Sequence, residues 1–99
     1  MNAVVQSEAE ALPDDIRARL FRYADVIEDE GLHALPAGWI KPLGDKLWEL
    51  RLTGRDGIAR AIYVTATGKR VVIIRVFVKK TEKTPPKELR IARLRAKEV

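Results

Sequence analysis

The chain has no cysteine and a single histidine, His33. The first absence removes disulfide frameworks, thiolate metal sites and thiol nucleophiles. The second removes zinc sites that need two or three imidazoles. No apolar run approaches the roughly 18 residues of a membrane span. The first ten residues carry neither a cationic start nor an apolar signal core, so a soluble cytoplasmic protein is expected. Paired catalytic carboxylates and a Gly-rich phosphate loop are also missing, and no internal repeat or low-complexity segment is present. Acid is scarce beyond the first third. Residues 1–31 hold eight acids and three arginines, a net of −5, whereas residues 32–99 hold sixteen Lys and Arg against six acids, a net of +10. Charge sorted in this way points to a polyanion held by one side of the molecule.

The 99 residues suit one domain, 1–99, with a single core. Ala3 to Ser7 reads as a short strand. Leu12, Ile16, Leu20, Tyr23 and Ile27 repeat at helical spacing after Pro13-Asp14-Asp15, and Gly31 closes that helix. Ala34 to Leu43, broken by Pro and Gly, allows at best one short helix before Pro42. Trp39, Trp48 and Leu43 are expected in the core, and His33 in a solvated loop. The period then drops to two. Leu47 to Thr53 places Trp48, Leu50 and Leu52 on one face and Leu47, Glu49, Arg51 and Thr53 on the other. Ile58 to Thr65 and Arg70 to Val78 complete an antiparallel meander of three strands joined by short turns. Thr84-Pro85-Pro86 opens a last helix with Leu89, Ala92, Ala96 and Val99 on its apolar side. Its basic stripe is Lys87, Arg90, Arg93 and Lys97.

Cations inside apolar strands are the unusual feature. Arg51, Arg60 and Arg75 each lie in one strand of the meander, with Val71, Ile73, Phe77 and Lys79 expected on the face of Arg75. An arginine in such a setting either pairs with a carboxylate, for which Glu49 is at hand, or waits for an outside anion. One acid cannot neutralise three arginines together with Lys79 and Lys80. Arginine forks grip phosphate, and lysines crowded by cations lose basicity enough to move protons near neutral pH. RNA brings its own nucleophile, the 2′-OH, so a basic site can cleave it without a metal or other cofactor. A binding module without turnover would need the same cations.

The runs Leu47-Trp48-Glu49-Leu50-Arg51, Gly57-Ile58-Ala59-Arg60-Ala61-Ile62-Tyr63 and Val76 to Leu89, with Phe77-Val78-Lys79-Lys80-Thr81-Glu82-Lys83-Thr84-Pro85 inside it, resemble the phage-derived branch of the RelE/HigB toxins. These belong to the RelE/ParE superfamily of type II toxin–antitoxin systems. The resemblance covers roughly residues 12–97. It implies an α+β fold: a small antiparallel sheet of three or four strands, N-terminal helices packed on one face, and a C-terminal basic helix. It further implies ribosome-dependent mRNA cleavage and a small helix-turn-helix antitoxin as partner. By motif, Arg51 and Arg60 would hold the scissile phosphate, while Lys79 and Lys80 would hold RNA and handle the proton. Arg75, Lys83, Lys87, Arg90 and Arg93 would meet nucleic-acid backbone. The Tyr or His that several superfamily members place near the C-terminus does not follow Phe77 here, and Tyr63 alternates to the face opposite Arg60. A ParE-like gyrase poison is the further alternative within the superfamily.

Overall fold

The computed structural model describes residues 3–55, 57–65, 71–79 and 85–99. Two helices lead: α1, Ala3–Glu10, and α2, Asp14–Glu30. Single 3-10 turns at Leu32–Ala34 and Ala37–Trp39 follow, then four strands: β1 (Ile40–Gly44), β2 (Leu47–Gly54), β3 (Gly57–Thr65) and β4 (Val71–Lys79). Helix α3, Pro86–Ala96, ends the chain. The strands pair antiparallel in chain order, so β1 and β4 are the edges. No helix among the described residues is long and apolar enough to cross a membrane.

Helix α2 forms as its pattern demands. Pro13 precedes it, Asp14 and Asp15 sit in its positive first turn, and Gly31, at φ 92°, returns its N–H to the Ile27 carbonyl at 2.8 Å. Ile16, Leu20 and Ile27 are buried beneath it. The segment read as a strand at residues 3–7 is helical instead. Val5, Ala9 and Leu12 are buried at a spacing of four and three, while Val4 is 56% exposed, so helical periodicity overrides five β-tolerant residues. The stretch read as loop or short helix before Pro42 holds the fourth strand. As an edge, β1 can accept a proline that an inner strand could not. Gly44 pairs with Leu47 across a two-residue turn whose Asp45 and Lys46 both have positive φ, the conformation of a tight hairpin.

Two apolar clusters sandwich the sheet. Leu50, Leu52, Ala59, Ala61, Tyr63, Ile73 and Val76 meet α1 and α2 on one face, with Trp48 partly buried beside them. Leu47, Ile62, Val64, Ile74 and Phe77 meet Ala92 and Ala96 of α3 on the other, where Leu43 also packs. A bulge explains why Ile73 and Phe77 lie on opposite faces rather than together. The β3–β4 register slips between Ile62, opposite Arg75, and Tyr63, opposite Ile73, which leaves Ile74 as the extra residue. Trp39 departs from the expected core position: it is 39% exposed and leans on Tyr23, ring centroids 5.0 Å apart. Val99, expected on the apolar side of α3, lies past the end of that helix and is half exposed. His33 is exposed, as expected of a loop residue.

Candidate functional site

Helix α3 packs over the part of its sheet face built from Leu47, Ile62, Val64, Ile74 and Phe77. Charge collects toward the other end of that face. Arg51 on β2 stands opposite Arg60 on β3, Lys41 on β1 stands opposite Glu49 on β2, and Lys79 on β4 stands opposite Ile58 on β3. The alternation of β2 and β3 puts these side chains on the face away from α1 and α2.

At the centre lies a buried pair. Glu49 is 1% exposed and Arg60 7%. Arg60 Nε is 3.4 Å from Glu49 Oε1, an ion pair too long and too misaligned for a good hydrogen bond at Nε. Arg60 Nη1 donates to the Ala59 carbonyl at 2.8 Å. Burial lowers the Arg60 pKa, Glu49 opposes that shift, and Arg51 adds to it. Lys79, also buried, is pushed below its usual value by burial first and then by Arg60, with Arg51 and Lys41 pushing the same way and Glu49 opposing. Among the described residues, four cations thus surround one carboxylate, an arrangement that favours an incoming anion and a lysine less basic than usual.

The sequence-predicted residues divide accordingly. Arg51, Arg60 and Lys79 come together. Lys80 and Lys83 lie outside the described residues. Lys87, Arg90 and Arg93 are exposed on α3, where Arg93 reaches Asp45 at 3.7 Å. Arg75 does not join the group. Its guanidinium is held by Glu88 at 3.0 and 3.1 Å and by Glu8, whose carboxylate also takes Arg95 at 2.8 Å and the Val76 N–H at 3.1 Å. The hydrogen bonds and charges of Glu88 and Glu8 outweigh burial and raise the Arg75 pKa. Here it locks α1 and α3 onto the edge of β4. Sequence reading missed Lys41, because Pro42 beside it masked the alternation of β1. The position of Glu49 among the cations was visible as an ion-pair alternative.

Residues 7–97 match the family described as Phage derived protein Gp49-like. The chain belongs to this family. The match runs from α1 through the end of α3 and so includes every residue of the cationic face. No curated protein matches the chain. Among the described residues of this Gp49-like protein, no group of three His, Cys, Asp or Glu is placed to hold a metal ion.

Proposed function

We propose that this Gp49-like protein is the toxin of a type II toxin–antitoxin pair, a RelE/HigB-like endoribonuclease that cuts mRNA on the ribosome. The observation that carries this reading is the excess of cation, among the described residues, around the buried Glu49–Arg60 pair at the border of the apolar cluster under α3. Arg51 and Arg60 take the scissile phosphate. Glu49 acts as a positioning residue that holds the Arg60 guanidinium. Neutral Lys79 removes the 2′-OH proton, the 2′-oxygen bonds to phosphorus, and the 5′-oxygen departs with a proton returned from Lys79. The products are a 2′,3′-cyclic phosphate and a 5′-hydroxyl end. Arginine charge matters most as the phosphorane forms, because fixed donors in a partly dry site stabilise developing charge at little reorganisation cost. Lys80 and Lys83, with Lys87, Arg90 and Arg93 of α3, hold the RNA backbone. A small helix-turn-helix antitoxin in the cytoplasm is the partner.

Induced expression in a bacterial host with 5′-end mapping of cellular mRNA tests the reading. Wild type is expected to arrest growth with new cuts inside translated frames. Arg51→Ala, an exposed position whose loss leaves the core intact, and Arg60→Lys, which keeps charge but loses the fork, are expected to remove the cuts. Arrest with intact mRNA would turn the assignment to a gyrase poison. Growth without arrest would leave a binding module.

A further inference from the structure

Lys41 belongs to the cationic face but takes no part in the cleavage proposed above. It lies on β1 directly opposite Glu49 of β2, and residues so paired share one face of a sheet. Its side chain is exposed and makes no ion pair among the described residues, while Glu49 lies 3.4 Å from Arg60. The charge still reaches the site, since Lys41 is among the cations that lower the Lys79 pKa.

A charge on an edge strand guards against pairing with another chain. A carboxylate here would guard β1 equally and would also relieve the excess of cation. Lysine adds to that excess, so the group that gains from Lys41 is an anion brought from outside.

The four cations form a row across the sheet. Lys79 on β4 is a diagonal neighbour of Arg60 on β3, Arg60 faces Arg51 on β2, and Arg51 is a diagonal neighbour of Lys41 on β1. Diagonal neighbours stand about 7–8 Å apart, comparable to the step between successive phosphates of an RNA strand. In the proposed cleavage Lys79 takes the proton of the 2′-OH, which belongs to the nucleotide on the 5′ side of the scissile phosphate. Arg51 and Arg60 hold that phosphate. Lys41, at the end of the row far from Lys79, therefore falls on the 3′ side.

We propose that Lys41 binds the phosphate immediately 3′ of the cut and so fixes the direction in which RNA crosses the sheet. The inference rests on the ribonuclease reading. A phosphate that does not react is held alike before and during bond cleavage, so this contact tightens the complex without raising the rate within it.

Single-turnover cleavage on programmed ribosomes tests the assignment, with protein in excess and a neutral methylphosphonate replacing either linkage next to the cut. Lys41→Gln, at an exposed position, leaves the core intact. On the natural message it should raise the half-saturating protein concentration about tenfold, the worth of one charged contact, and leave the plateau rate near wild type. Wild type should lose the same factor when the 3′ linkage is neutral, and Lys41→Gln should then lose nothing more. With the 5′ linkage neutral, the two losses should multiply. Losses that multiply at the 3′ linkage, or that merge at the 5′ linkage, would overturn the assignment while cleavage stands. A fall in the plateau rate alone would also overturn it, because Lys41 would then act only through Lys79. A natural message left intact by wild type would overturn the ribonuclease reading itself, and this inference with it.

Discussion

Lys79 is the residue at which fold and chemistry pull against each other. Burial first, and then the cations around it, hold the folded-state pKa below the 10.5 of an unperturbed lysine. Between those two values the unfolded chain binds the additional proton, so stability rises with pH across that window. The charged ammonium therefore works against the fold at neutral pH. Lys79→Met is expected to raise the urea midpoint at pH 7 while slowing RNA cleavage by about 100-fold or more, the usual contribution of a general base. A variant less stable than wild type would contradict the electrostatic account. Wild-type cleavage should also quicken as pH rises through the lowered pKa, a dependence lost in Lys79→Met. The facing of Arg51, Arg60 and Glu49 was legible from strand alternation alone. The role of Arg75 was not, because its partners Glu8 and Glu88 come from helices 67 and 13 residues away in the chain.

At the scale of elements, the two edges of the sheet are finished differently. On β4 the Glu8 carboxylate accepts the Val76 N–H, and Arg95 donates to the Ile74 carbonyl at 2.9 Å, so backbone groups that could pair with another strand are occupied. Glu8→Ala removes the acceptor common to Arg75, Arg95 and Val76. It is expected to cost about 3 kcal/mol, the scale of breaking a mostly buried pair, and to speed hydrogen exchange at Val76. Unchanged exchange there would show that α1 is not what protects the edge. The join between α2 and the β2–β3 hairpin is equally specific. Asp15 accepts the Arg55 N–H at 2.7 Å and the Ile16 N–H at 2.9 Å, and Gly54 lies against both Asp15 and Ile16. A Cβ at Gly54 would fall 2.5 Å from Ile16 Cγ1 and 2.6 Å from Asp15 Oδ2. Gly54→Ala is therefore expected to lower stability by about 1–3 kcal/mol in chemical denaturation, as overpacking does. Helix α2 and strands β2 and β3 were readable because each carries a long, single-period pattern, and β4 because its apolar run is nearly continuous. Helix α1 was misread because a five-residue window held no full turn beyond Val5, and β1 because proline and glycine interrupt it at an edge that tolerates both.

For the whole molecule, the charge imbalance along the chain becomes an imbalance between faces. The acidic helices α1 and α2 cover one side of the sheet, while Lys41, Arg51, Arg60 and Lys79 gather on the other beside the basic α3. This much was implied by a net of −5 before residue 32 and +10 after it. The bulge in β4 was not, since one extra residue leaves no mark on composition or period. The central claim is that the cationic face cleaves RNA through the 2′-OH of its substrate. Its most direct test is single-turnover cleavage on programmed ribosomes, comparing an all-ribose message with one carrying a 2′-deoxynucleotide at the cut. The account predicts 2′,3′-cyclic phosphate and 5′-hydroxyl ends from the first message and no cut in the second. Cleavage of the deoxy message, or an all-ribose message left intact, would contradict it.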